Sequence, residues 1–216
     1  MSEYFVPYNC QVKDLAGIYK KYFGYVDDGF FVDVGAYNGF DHSNTYCLAS
    51  AGWKGICYEP IPEFYNACVN IFSGNPKIKV IQTCVGDREG EVKMTVAGTL
   101  STYSEWHTKT QYWKGDYQWK HEYMSPITTL DKSLKDNNVT PNFEVLSVDV
   151  EGSETDVLKF FDIKYWRPKM AIIEAQEFHP AEELRNQAPF INKYFEDAGY
   201  EKIYSDEINN IYVPYP

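Results

Sequence analysis

Four carboxylates, Asp33, Glu59, Asp149 and Glu151, stand where apolar runs give way to turns. Asp33 belongs to Phe30-Phe31-Val32-Asp33-Val34-Gly35-Ala36-Tyr37-Asn38-Gly39, a buried-strand pattern that runs into a turn. Gly35 and Gly39 permit positive φ and close backbone approach where a ligand meets a strand's carboxyl end. A helix opening after that turn presents free N–H groups and a favourable dipole to an anionic group. Glu59 ends a second run, Trp53-Lys54-Gly55-Ile56-Cys57-Tyr58-Glu59-Pro60. An acid roughly 20 residues past such a turn is where a ribose hydroxyl pair is usually held. Together the two stretches predict a nucleotide-like cofactor site.

Ser147, Asp149 and Glu151 are spaced by two, so they share one face of a strand that stays extended. Asp149 and Glu151 fall at its carboxyl end, and two carboxylates so close push one pKa upward, toward the range of a general base. The plainer alternative has Glu151 capping the next turn and Asp149 binding backbone amides. Glu174 ends a further run with Gln176 and Glu177 beside it. Asp149, Glu151 and Glu174 thus form a candidate oxygen-rich site for a divalent cation such as magnesium. No spacing motif requires that ion, and no metal ligand is assigned. His107, His121 and His179 are alternative bases, with packing or surface roles as the plainer reading. His42 follows the glycine turn and reads as a cofactor contact or a helix-start residue.

The elements that must position these groups alternate. An N-terminal arm and a helix, Lys13 to Phe23, occupy residues 1–28. The first strand and its turn lead to a helix over His42–Ala51, a strand over Gly55–Tyr58 and a helix over Glu63–Phe72 with Pro62 near its start. A third strand is predicted over Ile78–Val85 and a short one over Glu91–Ala97. From Gly98 to Pro126 periodicity disappears, in a stretch that holds Tyr103, Trp106, His107, Trp113 and Trp119. It predicts an aromatic-rich insert or lid, or else rings that only pack an irregular segment. Next come a helix over Thr128–Asn137, a strand over Phe143–Val150, and a helix over Glu154–Phe161 that Ser153 could cap. A strand over Met170–Ala175 and a helix over Phe190–Ala198 follow. Tyr200–Tyr204 and Asn210–Val213 then form an antiparallel hairpin at a sheet edge. This alternation predicts an α/β fold with a mostly parallel sheet and helices on both faces.

The chain has 216 residues, the size of one α/β domain, and a hydrophobic content of 44%, ample for a core. Its net charge of −11 argues against a nucleic-acid binder that tracks phosphates, which needs a basic face. No run approaches the roughly 18 apolar residues of a membrane span, and the N-terminus lacks a signal pattern, so no membrane partner is expected. Cys10, Cys47, Cys57, Cys68 and Cys84 show no CxxC spacing, which fits reduced core thiols and a cytoplasmic location.

One set of phrases occurs in a particular order: Phe31 to Gly39, Tyr58-Glu59-Pro60, Leu146-Ser147-Val148-Asp149-Val150-Glu151-Gly152-Ser153-Glu154, and Arg167-Pro168 ahead of Ile172-Ile173-Glu174. This resembles the FkbM-type family of S-adenosylmethionine-dependent methyltransferases, with Asp-Val-Glu-Gly-x-Glu as the most specific phrase. The resemblance covers roughly residues 29 to 177. It implies the class I methyltransferase (Rossmann-like) fold, a seven-stranded sheet with an antiparallel last strand, as one methyltransferase domain over 1–216 with the insert at 98–126. It implies S-adenosyl-L-methionine as cofactor, with Asp33, Gly35, Asn38 and Gly39 around its methionine end and Glu59 on the ribose. Gly86 and Asp87 match the region bordering the adenine. Ser147 stands where the family often has Lys, so no charge is carried over there.

Family members mostly methylate hydroxyl oxygens of sugars or natural products, which makes a small-molecule or glycan acceptor the expectation. Asp149 and Glu151 are then the acceptor-side pair, one as general base or alcohol ligand and the other orienting it, with His107 as an alternative base. Sugar C–H faces stack on aromatic rings, and the insert supplies them; a phenolic or polyketide acceptor fits as well. Two other classes share some features: a nicotinamide-dependent oxidoreductase and a non-catalytic cofactor-binding module. Counted from Gly35, the dinucleotide fingerprint meets Tyr37 and Phe40 where it needs glycines, which disfavours the first. The intact acidic set disfavours the second.

Overall fold

The computed structural model describes residues 4–109, 121–180 and 182–216. Seven strands form the main sheet, in the order β3 (Ile78–Ile81), β2 (Lys54–Tyr58), β1 (Phe30–Val34), β7 (Val145–Val148), β8 (Met170–Glu174), β10 (Asn209–Pro214), β9 (Tyr200–Ser205). Neighbours are parallel except that β10 is antiparallel to both β8 and β9. This is the mostly parallel seven-stranded sheet with a C-terminal hairpin that the resemblance implies. Strand order reverses between β1 and β7, and a crevice at such a reversal is where open α/β sheets bind ligands.

Alternation along β1 explains how the sheet is covered. Val32 and Val34 join Leu146, Val148 and Ile173 on one face, packed by α4 (Leu130–Asp136), α5 (Glu154–Lys159), α6 (Ile163–Trp166) and α7 (Ala188–Asp197). Phe31 joins Val145, Met170 and Ile172 on the other, packed by α1 (Leu15–Phe23), α2 (Tyr46–Ser50) and α3 (Pro62–Phe72). Asp33 shares the parity of Phe31, which turns its carboxylate toward the α2 side. All five cysteines are free thiols, four of them buried. Among the described residues no helix is long and apolar enough to cross a membrane.

The structure differs from expectation at five places, each for a local reason. The single strand expected over Ile78–Val85 breaks after Ile81. Cys84 and Val85 become β4 (Cys84–Val85), which leaves the main sheet and joins β5 (Gly90–Val96) and β6 (His121–Thr128) in a second sheet of order β4-β6-β5. The insert is therefore not wholly irregular, since β6 takes up its end. Pro126 hides that strand from pattern reading, because proline donates no ladder bond; β4 pairs with only Ile127 and Thr128, so position 126 needs no partner on that side. Trp113 and Trp119 lie outside the described residues.

The helix expected from His42 starts at Tyr46. His42 has φ 61°, and Ser43 Oγ accepts hydrogen bonds from the amides of Thr45 and Tyr46, so polar side chains hold a longer turn first. The strand expected to reach Val150 ends at Val148. Glu151 adopts φ 52°, so it no longer follows the alternation of Ser147 and Asp149. Ser153 makes no capping hydrogen bond; instead Glu154 Oε1 folds back to accept from the amides of Val150 (3.0 Å) and Gly152 (3.1 Å).

Candidate active site

Two adjoining cavities open at the carboxyl ends of β1, β2, β7 and β8. Gly35, Tyr37, Thr99, Asp149 and Glu151 line both of them, so they form the wall the cavities share. Asp33, His42, Glu174 and His179 line the first; Glu59, Thr83, Cys84, Val85 and Tyr103 line the second. Among the described residues no Lys or Arg lines either cavity.

The turn after β1 is built for close approach. Gly35 has φ 91°, and a Cβ there would lie 1.7 Å from the carbonyl oxygen of Asp149, so no other residue lets the β1 and β7 ends pass so closely. The amides of Gly35 and Ala36 both donate to the Tyr58 carbonyl at 3.0 Å, tying the turn to β2. Asn38 Oδ1 accepts from the amides of Phe40 (3.0 Å) and Asp41 (2.8 Å), while its Nδ2 donates to Asp41 Oδ2. Gly39 packs against Phe72 and Cys68.

Each acid has a distinct environment. Thr45 Oγ1 donates to Asp33 Oδ2 at 2.6 Å, yet burial outweighs that bond, and Asp149 adds repulsion, pushing Asp33 up to about 7. Glu59 accepts from the amides of Tyr37 (2.9 Å) and Ile61 (2.8 Å), one on each oxygen. Burial still pushes it up to about 8. Each of its oxygens retains a further lone pair, the capacity a vicinal diol requires. Gln11 Nε2, from the N-terminal arm, donates to Asp149 Oδ2 at 3.2 Å. Burial raises Asp149, and burial with repulsion from Asp149 and Glu154 holds Glu151 well above the usual carboxylate range. Behind Glu151 lies His107, fully buried, its Nε2 3.5 Å from Glu151 Oε2. Burial lowers His107 to about 4, so at neutral pH the contact is not an ion pair.

Asp33, Gly35, Glu59, Asp149 and Glu151 are thus brought to one crevice. Asn38, Gly39, Gly86, Asp87 and His107 line neither cavity. Gly86 donates its amide to the Thr128 carbonyl, and Asp87 pairs with Arg88 in the following turn. Thr83 to Val85, just before them, line the second cavity instead. His121 sits exposed on β6. The acids whose oxygens converge within 4.8 Å are Asp149, Glu154 and Glu174, with Glu154 in the place expected for Glu151. Gln11 carries no local signal for its position, since 138 residues separate it from Asp149. Glu154 was visible as part of Asp-Val-Glu-Gly-x-Glu but reads locally as a helix-start residue.

The methyltransferase FkbM domain matches residues 33–202. The chain belongs to the FkbM methyltransferase family. It is accordingly an S-adenosylmethionine-dependent methyltransferase, which displaces the oxidoreductase reading of the glycine turn. No curated protein sequence matches it. Solved structures share the fold of this FkbM methyltransferase at low identity. Monomeric WbdD aligns with TM-score 0.52 at 13% identity, over 94% of this chain and 41% of that one, so this chain spans well under half of it. A Staphylococcus aureus protein named as a caffeoyl-CoA O-methyltransferase aligns with TM-score 0.55 at 8% identity, over 97% and 86% of the two chains. A Clostridium thermocellum protein named as an rRNA methylase aligns with TM-score 0.51 at 7% identity, over 94% and 97%.

Proposed function

We propose that this FkbM methyltransferase methylates a hydroxyl oxygen of a sugar, glycan or related small molecule. The observation that carries the reading is the shared wall: Asp149 and Glu151 border both cavities, with Asp33 in one and Glu59 in the other. The residues fit the cofactor chemically. Glu59 has lone pairs free for a ribose diol, and an acid-lined crevice with no Lys or Arg among the described residues favours a cationic sulfonium and ammonium. When bound, S-adenosylmethionine supplies an electrophilic methyl group.

The chain's own work is then positioning and proton transfer. The turn at Asp33, Gly35 and Ala36 takes the methionine end, its width kept by Asn38 and Gly39; the wall at Thr83 to Val85, carried by the turn at Gly86 and Asp87, borders the adenine. Asp149 and Glu151 lie on the acceptor side. A carboxylate raised toward neutrality is a better proton acceptor than an ordinary one, and one of the pair takes the hydroxyl proton while the other orients the acceptor. His107 holds Glu151 from behind as a positioning residue. Gly98 to Tyr103, the start of the insert, border the crevice and support its reading as a lid.

The test is turnover of a methyl-labelled cofactor with a panel of sugars, glycans and phenols. Label recovered in an ether-linked methyl group is expected. Label on nitrogen, or turnover with none of the hydroxyl compounds, contradicts the proposal.

A further inference from the structure

Asp149, Glu154 and Glu174 come from three elements: the end of β7, the start of α5 and the end of β8. One carboxylate oxygen from each lies within 4.8 Å of the others. Oxygens bound to one calcium or magnesium ion at about 2.0–2.6 Å are separated by at most about 5 Å, so this is the spacing of a shared ion. Glutamine amides hold all three acids: Gln11 donates to Asp149, Gln187 to Glu154 at 2.7 Å, and Gln176 to Glu174 Oε1 at 2.5 Å. These donors orient the carboxylates but bring no positive charge.

A second observation is independent of the clustering. Glu174 is only 5% exposed, and among the described residues its Oε2 is buried without a hydrogen-bond partner. A buried carboxylate oxygen left unmatched is costly unless the group is paired or bound to a metal.

We infer that Asp149, Glu154 and Glu174 form a binding site for one hard divalent cation, of the magnesium, manganese or calcium class. An all-oxygen donor set with no thiol or imidazole favours these ions over zinc or copper. Glu154 forms the closed side, while Asp149 and Glu174 line the first cavity, so the ion's remaining positions open toward it. The site stands on this cluster and not on the acceptor proposed above, and its test requires neither cofactor nor acceptor.

The full chain, stripped with a chelator, is titrated with manganese alone at neutral pH, and the loss of the free-ion paramagnetic resonance signal is followed. One bound ion per chain is expected, displaced by magnesium or calcium. Folded Glu174→Gln, or Glu154→Gln if the first does not fold, binds at least about tenfold more weakly, whereas surface Glu122→Gln matches wild type. If folded wild type binds no stoichiometric ion up to about millimolar concentration, or if both cluster variants fold and bind as wild type does, the inference is overturned and the three acids share protons instead.

Discussion

Glu59 illustrates how burial sets chemistry at single residues. An ordinary glutamate titrates at 4.5, and this one is pushed up to about 8. Between those values the folded chain keeps a proton that the unfolded chain has released, so this group's contribution to stability falls as pH rises through the window. The slope is at most about 1.4 kcal/mol per pH unit for one group. Asp33, moved from 3.8 to about 7, acts with the same sign. Urea unfolding across pH 5 to 7 therefore shows a shallower fall in Glu59→Gln than in wild type; an unchanged slope puts the proton elsewhere. Asp149→Asn lowers turnover by about 10²–10⁴-fold, the range for loss of a general base, with cofactor affinity kept. Wild-type turnover in that variant removes Asp149 from the proposed role. The strand-end acids were legible in the sequence because the end of a parallel strand has a fixed relation to a ligand. Gln11 and the convergence of Glu154 were not, because each depends on contacts between distant segments.

At the scale of elements, the contact between the ends of β1 and β7 controls the crevice. Gly35→Ala puts a methyl group 1.7 Å from the Asp149 carbonyl oxygen at a φ of 91°, so the two strand ends must part. The combined strain and overpacking cost on the order of 3–4 kcal/mol, read as a lower midpoint in urea, and cofactor affinity falls with it. Wild-type stability in Gly35→Ala contradicts the geometry. The strands of the main sheet were legible from continuous apolar runs such as Phe30 to Val34 and Met170 to Glu174. Element ends were less so: Glu151 leaves the strand by a left-handed backbone and Ser43 delays α2, both decided by local hydrogen bonds that periodicity does not record. Of the small sheet, the strand expected over Glu91–Ala97 is present as β5, but β4 and β6 escaped, because Cys84 and Val85 lie close behind the apolar residues of β3 and their pairing partner, β6, contains Pro126.

For the whole molecule, the sheet brings acids from β1, β2, β7 and β8 to one edge, although Asp33 and Glu174 are far apart in sequence. Among the described residues the crevice there has no lining Lys or Arg, which suits a cationic cofactor. The central claim is that the cofactor spans this crevice, its ribose on Glu59 and its sulfur toward Asp149 and Glu151. A crystal structure with S-adenosylhomocysteine tests it most directly. Ribose hydroxyls within hydrogen-bonding distance of Glu59, with the sulfur facing the other two carboxylates, are predicted; adenosyl density outside the two cavities, or a sulfur turned away from that pair, would contradict it.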